Sequence, residues 1–302
     1  MQRAVIVAWL VALSVACGGS GSPIQKKIHA DPVLSKGKAP EGGVGVSDPG
    51  LRSLLVEHWD WVLRSSPVWA TTLGDHRFDS EIADNSSRGI QGQRAKRRIF
   101  LTRAKSLDPS RLNEADRRTY DLFTESLANE IGAEICQMEL WSISARGNPL
   151  TDFNVLPEMH ALETPEDAHR LILRYRRIPA SIDNSIANLR RGVSGSLIAN
   201  QKSIALTAKM VKEQMLKPLP EWPLSMVADR LPEQWPAKQR EALASELRAV
   251  VANEIRPALD RYQRFLEKQL LPNARGPEAV GLVHIPQGGH CYDCLLYTSP
   301  SP

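Results

Sequence analysis

The sequence predicts an all-α protein of long packed helices. Three observations predict it. Apolar residues recur at helical spacing along most of residues 51 to 266, capping signals stand where several of those runs begin, and alternating strand patterns of useful length are missing. Helices with one apolar face must bury it against each other, so a layered helical packing follows.

At the N-terminus, residues 1 to 16 carry one positive charge at Arg3, then an apolar run over residues 4 to 13, then small residues. That run is too short to span a bilayer, and the pattern is that of a secretory signal. Cys17, directly after Ser14-Val15-Ala16, resembles the lipobox cysteine of bacterial lipoproteins, although Ser14 stands where that family prefers an aliphatic residue. The resemblance implies lipidation at Cys17 and a membrane partner through that anchor, against plain cleaved secretion; Gly18 implies outer-membrane retention facing the periplasm. Residues 17 to 49 are rich in Gly, Ser, Pro and Lys without an apolar period, so a disordered tether is expected there.

Residues 50 to 293 are long enough for a sizeable core in one large domain or two small ones. Leu51, Leu54, Leu55, His58, Trp59 and Val62 lay one stripe along a first helix, which Ser65-Ser66-Pro67 ends. His58 on that stripe reads as a core histidine rather than a ligand. The basic run Gln93-Arg94-Ala95-Lys96-Arg97-Arg98 reads as a solvated helix face. A formal net charge of +4 over 302 residues, with acids mixed along the chain, excludes a nucleic-acid argument.

Asn113 caps a further helix, with Asp116 three residues on, and Leu122, Phe123, Leu127, Ile131, Ile135 and Met138 continue one face. Thr164-Pro165-Glu166-Asp167 is a start signal with a capping Thr, Pro at the first helical position and an acid where it offsets the helix dipole. Leu171, Ile172, Tyr175, Ile178, Ile182, Ile186, Leu189 and Val193 then keep helical spacing across Pro179, which should kink or split the helix. Trp235-Pro236 opens another, whose face runs from Leu243 through Leu247, Val250, Val251, Ile255, Leu259 and Tyr262 to Leu266, interrupted by Pro257.

Segments between these helices carry a resemblance. Pro67-Val68-Trp69-Ala70-Thr71-Thr72-Leu73-Gly74-Asp75-His76-Arg77-Phe78-Asp79, then Thr164-Pro165-Glu166-Asp167-Ala168, Arg174-Tyr175-Arg176-Arg177-Ile178-Pro179 and Ile186-Ala187-Asn188-Leu189-Arg190-Arg191-Gly192 stand in that order. Leu271-Pro272-Asn273-Ala274-Arg275, Gly281-Leu282 and Ile285-Pro286-Gln287-Gly288 follow. Over residues 50 to 293 the chain resembles the N-terminal half of the bacterial family catalogued as domain of unknown function 885. The resemblance implies a zincin-like metallopeptidase in the full-length parent, acting on a peptide substrate. There a helix would present histidine ligands and a glutamate to zinc, and the metal would lower the pKa of its bound water.

No such helix stands in this chain. Among His29, His58, His76, His160, His169, His284 and His290, no His-Glu pair opens a second histidine at helical spacing, so no cofactor and no peptidase activity are expected of this chain by itself. His160 and His169 flank a helix start without a partner at ligand spacing. The last nine residues, Cys294-Leu295-Leu296-Tyr297-Thr298-Ser299-Pro300-Ser301-Pro302, resemble the translation of a transposase-end sequencing adapter. The native sequence is therefore expected to be cut at about Asp293, leaving residues 294 to 302 foreign. On that reading Cys291-Tyr292-Asp293-Cys294 is a junction product and not a metal or redox pair. Cys136 reads as a small buried hydrophobe.

One constellation remains as a substrate-cleft candidate. Asp75, His76 and Arg77 follow Gly74 between apolar helical segments, where an aspartate orienting His76 would suit a cleft rim. The competing reading is a helix-terminal turn with Gly74 closing the helix and Asp75 and Asp79 satisfying nearby amides. Two functions follow from these observations. One is the helical half of a lipid-anchored metallopeptidase-like protein, exposing apolar surface that a second half would cover; the other is a lipid-anchored, non-enzymatic binding or scaffold protein of the cell envelope.

Overall fold

The structure, a computed structural model, describes residues 41 to 297. The expected signal, Cys17 and most of the tether lie outside them. Among the described residues the fold is all-α, with no strand beyond an isolated bridge between Asn200 and Arg275. None of these helices is long and apolar enough to cross a membrane.

Helix α1 (Pro49–Ser65) opens where the Asp48 carboxylate accepts the Leu51 N–H at 2.8 Å. Residues 41 to 48, expected to belong to the tether, instead pack onto the body. Val46 is buried, and the Asp116 carboxylate accepts the N–H groups of Ser47 and Asp48 at 3.0 and 2.8 Å. A segment poor in apolar residues is ordered here because a buried carboxylate from a distant helix satisfies its amides, which no local pattern reveals.

Helix α2 (Pro67–Thr72) follows at once. Helices α3 (Ser87–Lys105) and α4 (Glu114–Gly132) then pack on α1, with Leu54, Phe100, Ala104, Phe123 and Leu127 as their shared core. Asn113 caps α4 as expected, accepting the Asp116 N–H at 2.9 Å. The stripe expected to run on to Met138 does not, because α4 ends at Gly132 and two 3-10 turns follow; Leu122 is 69% exposed and Met138 42%. The basic run on α3 is neutralised residue by residue. Arg94 pairs with Glu139, Lys96 with Glu57, Arg97 with Glu130 and Arg98 with Glu134, so the run is an ion-paired and partly buried face, and Arg94 and Arg97 are not solvated as expected.

The larger core lies C-terminal. Short helices α5 (Pro149–Asn154) and α6 (Leu156–Met159) lead into α7 (Pro165–Tyr175), where Thr164 and Asp167 form a reciprocal capping box. The chain breaks at Arg176-Arg177, and α8 (Ile178–Ser194) starts with Pro179 in its first turn, where a missing N–H costs nothing. Helix α9 (Gln201–Leu216) and short α10 (Pro223–Met226) follow. Helices α11 (Ala237–Val250) and α12 (Arg256–Phe265) are joined by a widened π turn over Val251–Ile255, just before Pro257. All eight apolar positions read on that face are buried. Each such side chain is worth roughly 1.5–3 kcal/mol relative to exposure, which is why this layer dominates.

Gly192 in α8 explains one close approach. A Cβ there would stand 1.9 Å from the Leu140 carbonyl oxygen, so only glycine lets that turn lie against the helix. Leu140, Leu197 and Ile285 then bury together beside α13 (Gly288–Tyr297), which packs on the 3-10 turn Ala133–Cys136.

Cys136 lies in that turn and forms a disulfide with Cys291 of α13, 155 residues away. This corrects one expectation. Cys136 is buried, but as half of a cross-link and not as an inert hydrophobe. Cys291 takes its partner from across the fold and not from Cys294.

Candidate functional site

Helix α2 is short, and the residues after it form a tight sequence of turns. Gly74 has φ +84°, a left-handed conformation that costs a glycine little, and it lets the Asp75 N–H return to the Ala70 carbonyl at 2.9 Å. Asp75 then accepts the Arg77 N–H at 3.1 Å, starting a 3-10 turn His76–Phe78. The Arg77 guanidinium closes on both Asp75 oxygens, at 2.9 and 2.7 Å, and reaches Asp60 of α1 at 2.7 Å. These hydrogen bonds from Arg77 hold the Asp75 carboxyl below the usual carboxylate range. The local geometry is that of a helix-terminal turn. Asp75 is buried within it, while the side chains of His76 and Arg77 are exposed.

The aspartate that orients His76 is not Asp75. It is Asp79, whose Oδ2 lies 2.8 Å from His76 Nδ1. Asp79 is 1% exposed, and its other oxygen accepts the Thr71 hydroxyl at 2.5 Å. Opposite it stands Arg174 of α7, fully buried, with Nη2 at 3.5 Å from Asp79 Oδ1. Arg174 also donates to Thr71 Oγ1 and to the Phe78 carbonyl, both at 2.8 Å, and through Nε to the Glu81 carbonyl at 2.9 Å. Burial pulls Arg174 down to about 10, against the pull of Asp79 and Glu81, so it stays charged at neutral pH.

His160 closes the network. Its Nε2–H donates to the Asp167 backbone carbonyl at 2.8 Å, which leaves Nδ1 to accept from Arg174 Nη1 at 3.4 Å. Burial lowers its pKa, only partly offset by that carbonyl. Both ring nitrogens are engaged. The network therefore clamps α2 and the segment after it onto α7 rather than presenting a nucleophile or a metal ligand.

What α2 is clamped for lies on its other side. Pro67, Val68 and Trp69 form one wall of an open cleft of about 800 Å³. Asp152 and Phe153 of α5 and Leu156 of α6 form another, and Leu189 of α8 and Tyr262 of α12 close it. The wall carrying Ile82 is pinned to α8 by Asn85, whose Nδ2 donates to the Ser181 carbonyl and Ser185 Oγ, both at 2.9 Å. Asp152 reaches solvent within the cleft, yet the surrounding apolar atoms push its carboxyl up to about 6. The Tyr262 hydroxyl is sealed from solvent without a hydrogen-bond partner, and burial followed by the charge of Asp152 raises its pKa. Asp75 and His76 line neither this cleft nor the smaller hollow, of about 620 Å³, that Arg77 borders. Sequence reasoning placed Tyr262 in the core and passed over Asp152, since nothing in Thr151-Asp152-Phe153 shows that the carboxylate faces a cavity.

Among the described residues none fit a zinc ion: no three His, Cys, Asp or Glu side chains converge to hold one. His58 packs edge-on against Phe100 and Phe123, with its Nε2 unpartnered, as a core histidine. Burial and the charge of Arg97 lower its pKa to about 4. The unfolded chain, near 6.5, then binds the proton more readily, so this histidine's contribution is complete above about pH 6.5 and is lost as pH falls. By pH 5 that loss is about 2 kcal/mol, from the relation of ~1.4 kcal/mol per unit. Asp152, raised, acts in the opposite direction over pH 6 to 4. Comparing His58→Leu with the wild type isolates the histidine, and the variant's urea midpoint should fall less between pH 7 and 5; equal slopes would disprove the assignment.

Over residues 67 to 299 the chain matches the model of a family described as "Bacterial protein of unknown function (DUF885)". That range includes residues 294 to 299. In three dimensions it is similar to the crystal structure of a "putative lipoprotein" from Colwellia psychrerythraea, with a TM-score of 0.66 and 16% identity. The alignment covers 80% of this chain and 44% of that one, so the chain spans less than half of the neighbour's length. At that identity the likeness shows the fold alone. No curated protein matches the chain.

Proposed function

Since the chain belongs to the DUF885 family of bacterial proteins of unknown function, we propose that it is the helical N-terminal part of a lipid-anchored cell-envelope protein resembling zinc-dependent metallopeptidases. In this reading the chain supplies cleft walls and substrate contacts. Zinc and the general base belong to a His-Glu helix encoded beyond Asp293, and the chain by itself hydrolyses no peptide.

The cleft beside α2 carries the proposal. It is mostly apolar, sits where several helices converge, and has a size typical of ligand sites. The Cys136–Cys291 disulfide supports export, because such cross-links persist outside the reducing cytosol. Cys17 supplies the anchor.

Sequencing the source locus across Asp293 tests the reading. An open frame continuing into a His-Glu zinc helix, whose product hydrolyses peptides and loses that activity to a chelator, is the expected result. A stop codon soon after Asp293 would overturn it in favour of a non-enzymatic envelope binding or scaffold protein.

A further inference from the structure

The geometry points to a cation-binding role for the cleft: it takes a ligand with an ammonium group on an apolar body, the ammonium against Asp152 and the body between Val68, Phe153 and Leu189. The inference does not depend on the peptidase reading, and it would hold for a protein with no catalysis.

One charged group in the cleft, the Asp152 carboxylate, has no partner among the described residues. Asp152 lies in the first turn of α5, but the cap there is complete without it: Asn148 Oδ1 accepts the N–H groups of Leu150 and Thr151, and Thr151 Oγ1 accepts the Asn148 N–H at 3.2 Å. The Asp152 carboxylate makes no hydrogen bond or ion pair with the described residues.

Charge decides the ligand class. Asp152 is the only charged residue lining the cleft among the described residues. A carboxylate or phosphate ligand would meet an unscreened negative charge. A neutral apolar ligand would strip water from Asp152 and return nothing, whereas an ammonium compensates that desolvation and gains a charge-assisted hydrogen bond. The raised pKa of Asp152 agrees with a carboxylate that lacks its counter-ion in the empty cleft. Such an ammonium could belong to a small free amine or to a peptide N-terminus whose first residue is apolar.

Calorimetric titration of the full chain at pH 7.5 distinguishes these. The probes are 2-phenylethylamine, the peptide amide Phe-Ala-Ala, its N-acetylated form and 3-phenylpropionate. Both amines should bind, and the acetylated peptide and the carboxylate should bind at least about tenfold more weakly. Asp152→Asn should weaken both amines by a similar factor. Tighter binding of the peptide would assign the peptide N-terminus, tighter binding of the amine a small amine, and either supports the proposal. Failure of both amines to bind, equal binding of the acetylated peptide, or unchanged affinity in Asp152→Asn would overturn it.

Discussion

Replacing Cys136 by serine should lower the stability of the chain by about 4 kcal/mol and its thermal midpoint by roughly 10 °C. The two sulfurs are 155 residues apart in sequence, and both cysteines are buried, so the bond joins the turn after α4 to α13 through the interior. Closing so long a loop removes much of the freedom of the unfolded chain; the entropic relation gives about 5 kcal/mol as an upper figure, which residual structure in the unfolded state reduces. Reductant should shift the wild-type midpoint in the same direction and leave Cys136→Ser unmoved. Cys294→Ser should leave the midpoint nearly unchanged, since Cys294 stands outside the bond. A wild-type midpoint indifferent to reductant would refute the cross-link.

That bond also marks where sequence reading stops. No spacing in the sequence joins Cys291 to Cys136, which lies in a turn that only packing brings near. Helices were legible where local chemistry decides them. Thr164 and Asp167 form the expected capping box, and Pro179 divides α7 from α8, with the break at Arg176-Arg177 because proline is tolerated in a first turn. Helix α9 escaped notice because Thr207, Ala208 and Gln214 occupy much of its buried face, which thins the apolar stripe. The site was less legible still. Asp79 and Arg174 both stand in segments that carry the family resemblance, but neither segment reveals a buried pair, since the charge on α7 is matched from a turn almost a hundred residues earlier. Asp75, His76 and Arg77 drew attention by their chemistry, while Asp152 and Tyr262 line the cleft without any pattern that announces them.

Replacing Arg174 by methionine should destabilise the chain by about 3–5 kcal/mol, read as a lower urea midpoint. The loss would come less from the ion pair than from what remains. Asp79 would be left charged and buried without its cation, and the carbonyls of Phe78 and Glu81 would lose their donor. Lysine should not rescue it, because one ammonium cannot span Glu81, Phe78, Thr71 and Asp79 as the planar fork does. Burial lowers the pKa of Arg174 against the pull of Asp79 and Glu81, and a buried pair is weak ground for net stability. Position explains the pair. The fork joins α7 to the C-terminal turn of α2 and to the segment after it, and α2 is the wall of the cleft that carries Pro67, Val68 and Trp69. Asp79→Asn combined with Arg174→Met should therefore recover a large part of the lost stability, since no uncompensated charge stays buried. It should not recover amine binding, because the hydrogen bonds from Arg174 to Thr71 and Phe78 that hold α2 and the turn after it against α7 are gone. Recovery of both would mean that the pair serves stability alone and that the cleft wall is held by its apolar contacts.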